Sequence, residues 1–254
     1  MLANLRVKIE DIKRTEDAFV DQLFDQSPNA GSVMISAVYA RSFVDLNRDA
    51  RELDPVMIDG PPPRPCSIMT PRVEAGLGCL PRIGASGQDI YKEKLPPEEV
   101  EMRLSHVHDS YHNEVRRELV KLRDIWGEAF LLDCHSMPSQ QPGRRSLPDI
   151  VLGDRFGSSC SARMISLVER VLRHKGYSVA RNTPYAGGYT TRLYGRPKSG
   201  LHALQIEINR KLYMNERAVK KSRNFDIIQR DMTDLVFELA EFVRSRNGMQ
   251  FAAE

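Results

Sequence analysis

The second half of the chain alternates between short apolar runs and longer amphipathic segments. Apolar residues at every third or fourth position over 98–126 predict a long helix, which Pro96 and Pro97 precede and Gly127 follows. The same periodicities predict strands at 129–135, 149–154, 177–182 and 203–209, and helices at 164–176 and 222–246. Alternating strands and helices predict an α/β fold with a mostly parallel or mixed central sheet, flanked by helices on both faces.

The first third of the chain has a less regular pattern. Residues 10–25 mix charged and apolar positions with helical spacing and predict an amphipathic helix, whereas the β-branched run at 32–40 predicts a strand. Residues 54–90 contain the proline run PPPRP at 61–65 and several glycines, which predict a long irregular segment. We find no internal repeat, and we interpret residues 1–254 as a single domain.

Composition and charge narrow the possible partners. The 37 basic and 34 acidic residues nearly balance at a net charge of +3, which gives no indication of nucleic acid or a membrane surface as partner. No run approaches the roughly 20 apolar residues of a membrane span, and the first residues do not resemble a signal peptide. The four cysteines form no CxxC pair, so we expect reduced thiols and a cytoplasmic protein. The oligomeric state is not indicated.

Polar residues crowd the end of the predicted strand 32–40. The segment ARSFVDLNRD (40–49) contains Arg41, Asp45, Asn47 and Arg48. A planar guanidinium beside an amide suits the carboxylate of an acidic substrate. A structural ion pair between Asp45 and Arg48 is the alternative.

The strand 129–135 ends in Asp133, Cys134 and His135. His135 suits a metal ligand oriented by Asp133, or a hydrogen-bonded core histidine. Because side chains alternate along a strand, Cys134 is expected on the opposite face as a small buried apolar residue.

The strand 203–209 carries a carboxylate among apolar residues. Its alternation places Glu207 on one face with Gln205 and Asn209. A buried carboxylate suits a general base near a metal-bound water, and a structural ion pair is the alternative.

Two further features leave alternatives open. Gly187 and Gly188 precede several hydroxyl groups and a cation, which indicates a ligand-facing loop or a turn into a strand. His108 and His112 are four residues apart on a helix, a spacing seen in metal sites and also in solvent-facing or capping histidines. The other three histidines outside the DCHS segment are interpreted as surface or packing residues.

Taken together, these segments resemble the N-formylglutamate amidohydrolase family. The matching segments, between about residues 17 and 216, are FVDQL (19–23), VDLNR (44–48), Tyr111-His112, DCHS (133–136), LPDIVLGDRFGSSC (147–160), GGYTTRLYG (187–195) and HALQIEINRKLYM (202–214). The family cleaves N-formyl-L-glutamate to glutamate and formate in histidine degradation, and its fold is similar to that of zinc carboxypeptidases and aspartoacylases. The resemblance implies a hydrolase with a small acidic substrate and a divalent metal, expected to be Zn²⁺. The alternatives are a deacylase of another N-acyl amino acid and a truncated or non-catalytic acid-binding member of the family.

The resemblance also implies roles for individual residues. His135 would bind the metal and Glu207 would activate the metal-bound water. Asn47 and Arg48 would hold a substrate carboxylate, and Arg41 would polarise the scissile carbonyl.

Further roles follow from the resemblance near the start of the chain and in the glycine-rich segment. Arg192 and Tyr189 are expected to contact the substrate. The family normally has an early strand that ends in a Pro-His-Ser-Gly-like turn and supplies a histidine ligand, but the first histidine here is His106. We therefore expect the usual first strand to be missing, with Asp17 or Asp21 as the replacement metal ligand.

Overall fold

The computed structural model describes residues 2–66, 69–141, 143 and 146–251; for residue 2 and residues 246–251 it describes the backbone alone. It divides into two compact units, which are Met1–Glu16 with Ala37–Val115 and Asp17–Ser36 with Arg116–Glu254. The prediction of a single domain stays a prediction. No helix in the described ranges combines the length and the apolar character needed to cross a bilayer.

The elements follow in chain order. The α-helices are α1 Ile9–Lys13, α2 Val20–Leu23, α3 Pro71–Glu74, α4 Pro97–Arg103, α5 Ser110–Trp126, α6 Ala162–His174, α7 Tyr189–Tyr194 and α8 Phe225–Phe251. A π-helical segment, Leu104–Asp109, joins α4 to α5. The strands are β1 Ala129–Met137, β2 Ile150–Gly153, β3 Val179–Arg181, β4 Leu201–Asn209, β5 Met214–Asn215 and β6 Lys220–Lys221. Short 3₁₀ turns lie at Leu2–Asn4, Ser27–Ala30, Pro55–Met57, Pro197–Ser199 and Arg210–Leu212.

The second unit is built on a mixed sheet in the order β1-β4-β2-β3. β1 runs parallel to β4 and β2 runs parallel to β3, whereas β2 and β4 are antiparallel. The predicted strands at 129–135, 149–154, 177–182 and 203–209 are confirmed, as is the mixed sheet flanked by helices. The short hairpin of β5 and β6 was not predicted.

The core of the second unit lies on one face of this sheet. Leu204, Ile206 and Ile208 of β4 are completely buried there, together with apolar residues of α2, α6 and α8. Helices α6 and α8 confirm the predictions at 164–176 and 222–246. Ile227, which the helical spacing places on the apolar face of α8, is instead 53% exposed. Phe225 and Ile228 in the same turn are 3% and 5% exposed, so Ile227 lies on the outward side of a turn that is otherwise packed.

The first unit is mostly irregular, as predicted for residues 54–90, and it has a separate core. Arg103 is completely buried in it, with its guanidinium carbon 4.2 Å from the centroid of Phe43 and Nη1 2.7 Å from the hydroxyl of Tyr91. Burial of such a cation is acceptable because two aromatic rings and several hydrogen-bond acceptors surround it. The long helix predicted at 98–126 is present, with the π-helical segment inserted.

Two predictions for the start of the chain are wrong. The helix predicted at 10–25 is split into α1 and α2, because Phe19 adopts a left-handed conformation (φ +65°) that a continuous helix excludes. The strand predicted at 32–40 does not form, and Val38 is 92% exposed and Tyr39 55% exposed. A β-branched run becomes a strand only where a partner strand and a buried face stabilise it.

Candidate functional site

The carboxyl ends of β1 and β4 bring four polar side chains together. In the parallel register Asp133 pairs with Gln205 and His135 pairs with Glu207. Because side chains alternate along both strands, the four residues project from the same face of the sheet. The side chain of His135 is 14% exposed, and the other three residues are at most 8% exposed. We call these four residues the strand-edge cluster.

His135 lies between two carboxylates. Its Nδ1 is 3.0 Å from Oδ2 of Asp17, and its Nε2 is 3.1 Å from Oδ1 of Asp133. Burial favours the neutral imidazole, but the charges and hydrogen bonds of Asp133 and Asp17 outweigh it and raise the pKa of His135 well above its usual value. Since carboxylate oxygens here act as acceptors, both ring nitrogens donate a proton.

The carboxylate of Asp17, which lies between α1 and α2, is held by several polar groups. Its Oδ1 accepts hydrogen bonds from the backbone N–H and the hydroxyl of Ser136, both at 2.8 Å. Arg210 donates from Nε to the Ser136 hydroxyl at 3.0 Å and lies 3.8 Å from Asp17 through Nη2. Ser136 and Arg210 are not among the predicted site residues, and their only signal in the sequence is their place immediately after His135 and after β4.

Glu207 is held by a neighbour on its own strand. Nε2 of Gln205 donates to Oε1 of Glu207 at 2.6 Å, which fixes one carboxylate oxygen. Val151 is the cross-strand partner of Glu207 on β2 and belongs to a small apolar cluster with Met137 and Leu147. Glu207 therefore has the Gln205 amide beside it on its own strand and an apolar residue beside it on β2. Asn209, on the same face, instead caps the following 3₁₀ turn by accepting from Lys211 N.

The donor set fits a metal only in part. His135 could supply a nitrogen ligand beside Asp17 only without the proton that its Nδ1 donates to Asp17, and Oδ2 of Asp133 is a buried oxygen without a hydrogen-bond partner among the described residues. A catalytic zinc site uses three protein ligands and leaves a fourth position for water. In the described ranges no group of three or more His, Cys, Asp or Glu side chains could hold a metal ion. The described donors therefore do not complete a zinc site, and we assign no step to a metal.

Asp21, the alternative candidate ligand, is exposed on α2. Its side chain makes no hydrogen bond or ion pair in the part of the chain that the structure describes. Cys134 is partly buried against the core of the second unit, as predicted, and burial raises the pKa of its thiol well above the usual value. Neither residue belongs to the strand-edge cluster.

The predicted carboxylate-binding residues lie in the first unit, on an irregular turn formed by residues 45–48, here called the clamp turn. Oδ1 of Asp45 accepts from the backbone N–H of Asn47 at 3.0 Å, which closes an Asx-type turn. Oδ2 of Asp45 is 3.1 Å from Nε of Arg41 and 3.8 Å from Nε of Arg48. The structural ion pair considered for Asp45 therefore forms more closely with Arg41.

Two of the three guanidinium nitrogens of Arg48 donate hydrogen bonds to backbone carbonyls. Nη1 donates to the carbonyl of Asn47 at 2.8 Å and Nε to that of Leu77 at 3.3 Å, whereas Nη2 makes no hydrogen bond among the described residues. Burial lowers the pKa of Arg48, although the nearby charge of Asp45 opposes this shift. The side chain is 14% exposed, so a partly buried cation with one uncommitted nitrogen can bind an anion.

The glycine-rich segment forms a short helix rather than the predicted loop or strand. Gly187 has φ +115°, and a Cβ at this position would lie 2.6 Å from Oγ1 of Thr191, so only glycine fits before α7. The guanidinium carbon of Arg192 lies 5.4 Å from the ring centroid of Tyr189. Helix α7 packs against β1 and β4, and this packing alone assigns no role to Arg192 or Tyr189.

Comparisons with known proteins agree with the resemblance read from the sequence. The model of the N-formylglutamate amidohydrolase family matches residues 1–214. The N-formylglutamate deformylase of Pseudomonas putida is 33% identical over 205 residues, which cover 79% of this chain and 71% of that protein. The N-formylglutamate deformylase of Pseudomonas aeruginosa is 34% identical over 209 residues, which cover 80% of this chain and 72% of that protein.

Two solved structures have a fold similar to that of this chain. The crystal structure of N-formylglutamate amidohydrolase from Ralstonia eutropha superimposes with a TM-score of 0.89 at 35% identity, covering 95% of this chain and 88% of that chain. A gene product of Agrobacterium tumefaciens superimposes with a TM-score of 0.54 at 19% identity, covering 91% of this chain and 77% of that chain. The second likeness concerns the fold alone.

Proposed function

Because this chain belongs to the N-formylglutamate amidohydrolase family, whose members hydrolyse a C–N amide bond, we propose that it cleaves N-formyl-L-glutamate to formate and L-glutamate. The observation that carries the proposal is the strand-edge cluster, in which a buried Glu207 lies beside His135 at the ends of two parallel strands. The names of the relatives support the formyl substrate. A place in histidine degradation stays a prediction of the resemblance.

Glu207 is the proposed general base. It accepts one proton from water while the water oxygen bonds to the formyl carbon. The C–N bond then breaks, and Glu207 returns the proton to the leaving nitrogen, so that formate and an amine are released. Gln205 supports this role because it orients one carboxylate oxygen through a hydrogen bond.

A divalent metal, with His135 and Asp17 as its ligands, stays a prediction. Metal analysis of the purified protein, combined with formate-release assays before and after chelation, tests this prediction. Bound metal that supports activity would confirm the prediction, and full activity in metal-free protein would contradict it.

The substrate contacts are likewise proposals. Asn47 and Arg48 are the proposed ligands of a substrate carboxylate, and Arg41 is the proposed group that polarises the scissile carbonyl. Arg192 and Tyr189 are proposed to contact the substrate as well.

Formate release and product analysis on four substrates test the function. We expect N-formyl-L-glutamate to have the highest kcat/KM, with N-acetyl- and N-succinyl-L-glutamate at least about tenfold lower. N-formyl-L-glutamine is the matched control, since it differs by one carboxylate and should lose a similar factor through weaker binding. No turnover of N-formyl-L-glutamate would contradict the proposal, and a preference for the acetyl compound would indicate another deacylase.

A further inference from the structure

The clamp turn lacks regular secondary structure, yet side chains bond to three of its successive carbonyls. Nε2 of His112 is 2.9 Å from the carbonyl oxygen of Leu46, and Nε2 of His108 is 2.9 Å from that of Arg48. The carbonyl of Asn47, between them, accepts from Arg48 itself at 2.8 Å. A carbonyl oxygen can only accept, so each histidine donates its Nε2–H. Two imidazoles thus hold the backbone on both sides of Asn47.

The two histidines are rigid donors. His108 is 3% exposed and His112 4% exposed, and their ring centroids are 4.4 Å apart. Tyr111 packs edge-on against His112 with its ring centroid at 5.2 Å. Buried and packed on one another, the rings have little freedom to move away from the clamp turn.

The helix that carries this pair is irregular at that place. His108 lies inside the π-helical segment Leu104–Asp109, and His112 lies in the first turn of α5. π-Helical turns are rare in proteins and occur frequently at functional sites. The insertion changes the direction of side chains along the helix, and here both Nε2 atoms reach the same turn.

We propose that His108 and His112 are positioning residues of the clamp turn, which set the affinity for the acidic end of the substrate. This inference rests on the proposed function and on the proposed role of Asn47 and Arg48 in carboxylate binding. Loss of either histidine leaves a carbonyl of the turn without its donor and releases the backbone that presents Asn47. A binding group that is misplaced by even about 1 Å loses much of its contribution.

A positioning role at the carboxylate predicts a particular kinetic change. A contact with a non-reacting carboxylate is the same in the ground state and in the transition state, so its loss raises KM and leaves kcat nearly constant. We expect His108→Leu and His112→Leu each to raise KM for N-formyl-L-glutamate on the order of tenfold, with kcat changed by less than about threefold. His108→Gln and His112→Gln should recover part of the loss, since the glutamine amide offers an N–H at similar reach.

His202→Leu provides the matched control. His202 is also buried, at 5% exposed, but its Nδ1 accepts from the backbone N–H of Ser161 in the second unit. We expect a lower melting temperature without a rise in KM. Melting temperatures for all variants separate loss of folded protein from loss of affinity. If His108→Leu and His112→Leu lower only the melting temperature, the histidines are purely structural and the proposal is overturned; a fall in kcat at constant KM overturns it as well.

Binding of L-glutamate, measured by calorimetry, separates this proposal from the proposed function. If the wild type binds L-glutamate but releases no formate, the deformylase proposal fails; weaker binding by His112→Leu would then still support positioning. Equal affinity of wild type and His112→Leu would overturn positioning. A wild type that neither binds L-glutamate nor releases formate overturns both.

Discussion

The strand-edge cluster and the clamp turn hold their polar groups in different ways. In the cluster, the register of β1 and β4 fixes His135 beside Glu207, so backbone hydrogen bonds determine the geometry. In the clamp turn no sheet or helix supplies that order, and side chains of His108 and His112 bond the carbonyls instead. The strand register alone therefore places His135 beside Glu207, whereas the backbone of the clamp turn is held by side chains that are distant in sequence.

Apart from a change of the proposed general base itself, the largest expected effect comes from breaking the support of the strand-edge cluster. Asp17→Asn keeps the shape of the side chain but removes the charge that faces His135 and Ser136. We expect kcat/KM for N-formyl-L-glutamate to fall about 10- to 100-fold, and the free energy of unfolding to fall by about 1–3 kcal/mol. Formate release and urea denaturation measure the two effects.

Asp25→Asn is the matched control for that variant, since Asp25 is exposed in the same unit and bonds only to glutamine side chains in the described structure. We expect Asp25→Asn to change kcat/KM and the free energy of unfolding little. If Asp17→Asn behaves like Asp25→Asn, Asp17 does not support the cluster.

A smaller effect is expected from the clamp turn. Arg48→Lys keeps the positive charge but loses the planar fork that bonds the carbonyls of Asn47 and Leu77. We expect KM for N-formyl-L-glutamate to rise about tenfold with kcat nearly constant. Arg170→Lys, on the exposed face of α6, should leave both constants unchanged. Equal KM values for the two variants would contradict a role of Arg48 in binding the substrate.

The smallest effect concerns Asp149, a carboxylate that belongs to neither region. Burial alone would raise the pKa of Asp149, but hydrogen bonds from Ser178 and the charge of Lys211 outweigh it and lower the pKa. A lowered pKa in the folded state adds stability above the ordinary value of 3.8, and this stability is lost as the pH falls through the folded-state pKa.

Asp149→Asn should therefore lower the free energy of unfolding by about 1 kcal/mol or less at pH 7, and hardly at all near pH 2. Thermal unfolding of wild type and variant at both pH values measures the difference. A loss of stability that is equal at the two pH values would contradict a contribution from the ionised carboxylate.

The local pattern of apolar and polar residues was sufficient to predict the two strands of the strand-edge cluster. Residues 129–135 and 203–209 fold as predicted, because alternation of apolar and polar side chains reflects burial of one face of each strand. The same reasoning placed Glu207 and Gln205 on one face. It failed for 32–40, where β-branched residues occur without a partner strand.

Contacts between distant residues could not be predicted in this way. His135 and Asp17 are 118 positions apart, and Asp17 was proposed only through the family resemblance. The helical spacing of His108 and His112 was visible, but their carbonyl partners lie 60 and 66 positions earlier. Solvent-facing positions for His108 and His112 were one of the alternatives that the sequence left open, and both histidines are buried. Local periodicity identifies which face a side chain occupies, but not which distant group it meets.

The proposed role of Glu207 as general base is tested most directly by comparing Glu207→Gln with Glu118→Gln in the formate-release assay. Both changes neutralise a carboxylate that is 8% exposed, but Glu118 lies on α5 and pairs with Lys121. We predict that Glu207→Gln lowers kcat by about 10²–10⁴-fold while Glu118→Gln stays within about twofold of the wild type. Formate release by Glu207→Gln at the wild-type rate would exclude Glu207 as the general base.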